Sequence, residues 1–153
     1  MKVLVNYAQE SLWNELNAKV ITLYQKGQYS EAAKVAEEAL KVAQKTFGPD
    51  HPNVATSLNS LALLYKTQGK YAEAEPLYKL ALTIREKALG PNHPNVATVL
   101  ENLSELYKKI GKKDESKKLE ERAKKFIQKT SKWQLRTTAE EIKDFSPLFS
   151  LIK

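Results

Sequence analysis

Apolar residues recur at steps of three and four along most of the chain. In its middle, Leu58, Leu61, Ala62 and Tyr65 form one set, and Ala74, Leu77, Tyr78, Ala81 and Leu82 form the next. This spacing puts each set on one stripe of an α-helix whose other face is polar. Between the two sets stands Gly69-Lys-Tyr71, a helix stop followed at once by an apolar residue, the pattern of a glycine C-terminal cap with its hydrophobic contact. Two helices joined by a tight turn are expected there. The same periodicity predicts helices over about 12–26 and 30–46, 53–68 and 72–88, and 95–110 and 114–129.

These six stretches are three copies of one unit. Phe47-Gly-Pro-Asp-His-Pro-Asn-Val-Ala-Thr56 returns as Leu89-Gly-Pro-Asn-His-Pro-Asn-Val-Ala-Thr98, eight of ten positions being identical at an offset of 42. Gly27, Gly69 and Gly111 keep the same offset, as do Leu16, Leu58 and Leu100, and Ala39, Ala81 and Ala123. In the connections, Gly-Pro-x-His-Pro ends one helix at the glycine and sets the second proline at the first turn of the next. Pro76 is expected in the first turn or so of its helix, where a missing N–H costs little. The outer units are degenerate, as end units of a stacked array should be, since each has a single neighbour. Lys19 and Val20 replace Leu61 and Ala62 in the first unit. Ser116 and Glu120 replace Ala74 and Tyr78 in the third, which reads as the polar end of the array.

The order Leu58-x2-Leu61-Ala62-x2-Tyr65, then Ala74-x3-Tyr78, then Ala81 resembles the tetratricopeptide repeat (TPR). Its small residues let paired helices approach and its large ones fill the gaps between them. The 42-residue period with Leu-Gly-Pro-x-His-Pro-x-Val-Ala is similar to the kinesin-light-chain-like subtype, and the likeness runs over roughly residues 12–129. It implies an all-α fold, a right-handed superhelical array of three TPR hairpins (about 12–46, 53–88 and 95–129, within residues 1–130). Residues 131–153 would form a C-terminal capping segment. Cargo binding by kinesin does not follow, because a fold does not carry a function.

The resemblance also implies a concave groove lined by the first helix of each hairpin, and a non-catalytic role as an adaptor or scaffold holding a peptide or partner protein there. The family's groove positions fall on Asn17, Ile21 and Tyr24 in the first unit, with Asn14 and Gln25 beside them. In the second unit they are Asn59, Leu63 and Lys66, together with Thr56, Ser60 and Thr67. In the third they are Asn102, Glu105 and Lys109, with Thr98, Glu101 and Lys108. Asparagine donates and accepts, which suits it to the backbone of an extended peptide. Ile21 and Leu63 would seat an apolar side chain, and Lys66 or Lys109 would pair with an acidic one. The alternative for each asparagine is a solvated residue on a helix surface. The two-carboxylate clamp of chaperone-binding relatives is not expected, because the matching positions hold Asn17, Ile21, Ser60, Thr98 and Asn102.

Chemistry finds no support. His51 and His93 sit one repeat apart in identical loops with no cysteine near them, so helix-start packing is expected rather than a metal site. No glycine-rich phosphate loop and no activated-serine pattern occurs. Neighbouring Glu37-Glu38 and Glu120-Glu121 point in different directions on their helices. No cofactor, no metal and no enzymatic activity are expected.

Composition narrows the class further. The 153 residues suit one domain, with 42% hydrophobic and 28% charged residues. No apolar run approaches the ~18 residues of a membrane span, and zero cysteines leave a reducing cytoplasm as the simple expectation. Net charge is +7, and residues 91–153 hold 14 basic against 9 acidic side chains. Nucleic-acid binding through that basic end is the runner-up from another class, but Phe126 and Trp133 are too few to make a stacking platform, so it is not the favoured reading. After it, Thr138-Ala-Glu-Glu141 has the spacing of a helix start, predicting a short helix over about 139–145. The apolar run Phe145-Ser-Pro-Leu-Phe-Ser-Leu-Ile152 would dock on its own array, shielding the groove, or on a second copy to make a homodimer.

Overall fold

A computed structural model describes residues 2–126. It comprises α1 (Lys2–Gln25), α2 (Tyr29–Phe47), α3 (Pro52–Thr67), α4 (Tyr71–Leu89) and α5 (Pro94–Lys109), followed by α6 over residues 113–126. No strand occurs among the described residues. Each helix packs on the next in chain order, and α3 also meets α5, so three antiparallel hairpins stack side by side. The expected end of the third hairpin at 129, the helix over 139–145, the capping segment 131–153 and its proposed dimer contact lie outside the described residues.

The boundaries follow from local chemistry. Each of the three hairpin turns closes in the same way. At Gly69, with φ +76°, the Lys70 N–H reaches back to the Tyr65 carbonyl at 2.9 Å and the Gly69 N–H to Lys66 at 3.1 Å. This is a Schellman cap, and its left-handed residue needs glycine. Tyr71, the apolar residue after the cap, packs with Tyr65 against the core. Lys70 also places its ammonium over the Tyr65 ring at 5.6 Å, and Lys112 over Tyr107 at 5.0 Å repeats the arrangement.

Both Gly-Pro-x-His-Pro links end in a histidine N-cap. Nδ1 of His51 accepts from the Asn53 N–H at 3.1 Å, and Nδ1 of His93 from Asn95 at 3.2 Å, with Pro52 and Pro94 at the first helical position. Two positions depart from the sequence reading. α1 starts at Lys2 instead of about 12, because nothing from residue 2 to 25 breaks a helix, proline and glycine both being absent there. Pro76 lies deeper in α4 than its first turn. It removes the bond to the carbonyl of Ala72, on a stretch where both residues are exposed.

The core is continuous from hairpin to hairpin. Ala62, Ala74, Tyr78 and Ala81 are wholly buried, together with Val54, Leu58, Val99, Leu103 and Leu106 around them. Trp13 joins the first two hairpins, donating its indole N–H to Ser57 at 2.9 Å and meeting Phe47 edge-on. Ser116 does not face outward as the polar end of the array. It is buried inside the third hairpin, 2.9 Å from Ser104, at the positions where the second hairpin has Ala62 against Ala74. Glu120 does lie at the end, bonded by Ser104 and ion-paired with Lys108.

Candidate functional site

Every groove residue named from the sequence lies on α1, α3 or α5, the first helices of the three hairpins. On α1, Ile21 is 59% exposed, and Tyr24 lies open beside Tyr29, ring edge to face at 5.3 Å. Asn17 turns back on its own helix, donating to the Trp13 carbonyl at 2.8 Å. On α3, Leu63 is half-buried. Asn59 accepts from the Asn102 side chain of α5 at 3.2 Å, so these two asparagines hold each other.

Lys66 is placed differently from its expected role as a free cation for a ligand. It is 7% exposed, and its ammonium lies 2.6 Å from Glu105 of the next hairpin, whose side chain is 61% exposed. Lys109 remains exposed.

The two seams along this face therefore differ. Subtracting one repeat from Lys66 and Glu105 gives Tyr24 and Leu63, so an apolar pair of positions in the first seam is a charged pair in the second. Beneath lies Tyr78, whose hydroxyl is buried with no hydrogen-bond partner among the described residues. Burial pushes its pKa well up, and the nearby Glu105 carboxylate and Tyr24 phenol add to this.

Arg85 is the residue that the sequence reading missed. It is 7% exposed on α4, and its fork donates to the Asn95 carbonyl at 2.7 Å and to the Thr56 hydroxyl at 3.3 Å. It thereby joins α4 to the starts of α3 and α5, and burial lowers its pKa. A signal was present: one repeat away the same position holds Ala43 and Ile127, so a charge stands in an apolar column.

Elsewhere Glu75 and Glu86 of α4 join the second hairpin to the third. Glu75 takes Lys79 at 2.7 Å, Tyr107 at 3.0 Å and Lys112 at 3.2 Å, and Lys79 foremost holds its carboxyl below the usual range. Arg122 pairs with Glu86. Among the described residues no group of three or more His, Asp or Glu is placed to hold a metal ion, and no helix is long and apolar enough to cross a membrane.

A family profile for the tetratricopeptide repeat matches residues 11–87 and 64–129, which together take in most of the chain. The chain belongs to the tetratricopeptide repeat family. Such repeats generally mediate protein–protein interaction, and members of this kind are typically non-enzymatic. No curated protein matches the sequence. Among solved structures, this TPR chain is similar to BtubC (BKLC) from P. vanneervenii, with 28% identity and a TM-score of 0.75 over 79% of this chain and 48% of that one. It is also similar to a Podosopora anserina putative kinesin light chain with nearly identical TPR-like repeats, at 26% identity and a TM-score of 0.71, covering 76% of this chain and 56% of the other. A second crystal structure of that protein, carrying a point substitution, aligns comparably, at 0.70. This TPR chain thus spans about half the length of the solved relatives it matches, and its repeats are kinesin-light-chain-like.

Proposed function

We propose that this protein is a non-catalytic adaptor or scaffold that holds a peptide segment or partner protein on the face of α1, α3 and α5, and that it works in the cytoplasm. The observation that carries the reading is the exposure of Ile21 and Tyr24, with Leu63 half-open beyond them, on a face otherwise lined by asparagine, threonine and charged groups. An apolar step of this kind seats one large side chain of a ligand, worth roughly 1.5–3 kcal/mol when fully buried. Polar groups around it, among them Ser60, Thr67 and Lys109, suit the ligand's backbone and charged positions. Affinity for a single short segment should be modest, because an extended peptide loses conformational freedom on binding.

The test is selection of binding peptides from a displayed random library, followed by titration against an Ile21→Asp/Leu63→Glu variant. Loss of binding at least tenfold, with the helical spectrum unchanged, supports the groove. Equal affinity for both proteins would move the interaction elsewhere.

A second reading has its own observation. The start of α1 exposes Leu4, Val5, Tyr7 and Leu12, at 74%, 53%, 68% and 42%. Self-association through this end would bury them, and a mass in solution that doubles with concentration, then reverts in a Leu4→Glu/Tyr7→Glu variant, would establish it.

A further inference from the structure

Of the seven large apolar side chains exposed among the described residues, four stand in the first turns of α1: Leu4, Val5, Tyr7 and Leu12. Their exposure has a simple cause. Gln9 is level with the end of α2, where the Thr46 hydroxyl donates to it at 3.5 Å, so residues 2–8 run past the helix that covers the rest of α1. At 3.6 residues per turn, Leu4, Ala8 and Leu12 form one stripe with Val5 beside it, about 150° round the helix from Asn14, Asn17 and Ile21. The patch is therefore separate from the groove. A contiguous apolar surface of this kind marks a place that something covers.

The chain itself returns to this edge. Successive helices alternate in direction, so α6 ends where α1, α3 and α5 begin, and Ala123 of α6 packs on Val96 and Leu100 in the first turns of α5. From there residues 127–153 continue outside the described part. Within them residues 145–152 carry five large apolar side chains, Phe145, Leu148, Phe149, Leu151 and Ile152, and no charge. The eighteen residues 127–144 before that run reach up to roughly 60 Å when extended. α1 lies two hairpin steps from α5, roughly 20–30 Å across packed helices.

We propose that residues 145–152 cover the start of α1 in the same chain, seating their large side chains on Leu4, Val5, Ala8 and Leu12 and leaving the groove open. Tethering favours this occupant over a second copy, because a linked segment within reach meets its surface at an effective concentration of about millimolar. The groove is the poorer seat. Its exposed apolar residues, Ile21 and Tyr24, stand in the last two turns of α1, at the opposite edge of the array from residue 126 and among asparagines and charges. The assignment does not rest on the groove reading, and it gives the start of α1 a different occupant from the second copy considered above.

The test uses the full chain. Because the protein has no cysteine, Lys153→Cys accepts a single nitroxide next to the apolar run without altering it. Backbone amide signals of the isotope-labelled, nitroxide-bearing chain are compared before and after the nitroxide is reduced. The expected result is loss of intensity at Leu4, Val5, Ala8 and Leu12 that reduction restores, with Ser60 and Asn102 of the groove unaffected. A mixture of isotope-labelled wild type with unlabelled nitroxide chain should show no loss. Adding Leu148→Asp/Phe149→Asp to the nitroxide chain should return the α1 signals to full intensity and leave the spectrum of the remaining helices unchanged. Loss centred on Ile21 and Leu63 overturns the proposal in favour of a shielded groove. Equal loss at α1 in the mixture overturns it in favour of a second copy. Absence of any loss at α1, or loss that survives the double substitution, overturns the apolar contact itself.

Discussion

Lys66, buried on α3, holds its ammonium 2.6 Å from Glu105 on α5, so a charge contact of the candidate groove is made within the protein itself. Its two ends are unequal, since Lys66 is 7% exposed and the Glu105 side chain is 61% exposed. Removing the carboxylate strands a buried cation, while removing the cation leaves a solvated acid. Glu105→Gln should therefore cost about 1–2 kcal/mol, reduced from a fully buried pair by solvent at the carboxylate, and Lys66→Met should stay within about 1 kcal/mol of wild type. Urea unfolding of the two variants checks this order, and the reverse order would contradict it.

Tyr78 gives a prediction of opposite sign to most core substitutions. Its hydroxyl is buried and without a partner among the described residues, yet the ring fills the centre of the core. Tyr78→Phe keeps the ring and deletes the orphaned group, so it should raise stability by roughly 1 kcal/mol. A loss of that size would mean that the hydroxyl is hydrogen-bonded in solution.

The Ser104–Ser116 contact allows a double-mutant cycle. Each hydroxyl is buried with the other as partner at 2.9 Å, although Ser104 also reaches Glu120. Either serine changed singly to alanine should lose about 1 kcal/mol, whereas Ser104→Ala/Ser116→Ala rebuilds the Ala62–Ala74 contact and should recover most of it. Additive single losses in thermal unfolding would show that the two hydroxyls are not coupled.

The histidine caps predict a selective rescue. His51→Ala and His93→Ala should each lower stability by about 1 kcal/mol, because the Asn53 and Asn95 N–H groups lose their acceptor. Asparagine at either position restores a capping oxygen and should return most of the loss in a melting experiment. His51 carries a further contact, its ring stacking on Phe47 at 4.9 Å, so its substitution should be the costlier of the two.

Glu75 sets an acid-side pH dependence. Its pKa is lowered in the folded protein, chiefly by Lys79 and then by Lys112 and Tyr107. A group depressed on folding contributes stability above its unfolded value, and that contribution fades as pH falls through the folded value. Stability should therefore drop below pH ~4.5, and Glu75→Gln should be less stable at neutral pH with a shallower acid limb. Parallel pH profiles for variant and wild type would rule this out.

The hairpins, their order and their turns were legible before any coordinates because each rests on short-range chemistry. Gly69 needs a left-handed backbone, Pro52 needs a first helical turn, and Leu58, Leu61 and Tyr65 share a stripe at any tertiary arrangement. The groove residues were legible only as positions on one face. Which of them face a ligand and which face one another was not, since Asn59 with Asn102 and Lys66 with Glu105 are 43 and 39 residues apart. No local rule distinguishes a free side chain from one met by the next hairpin.

By itself, the sequence determined an array of three hairpins, because helical period and repeat offset are properties of the chain. Tertiary structure alone decided that Lys66 is neutralised by Glu105, that Ser116 turns inward and that Arg85 has no counter-charge among the described residues. Those outcomes depend on distances between helices, and an interhelical distance is set only when the hairpins pack.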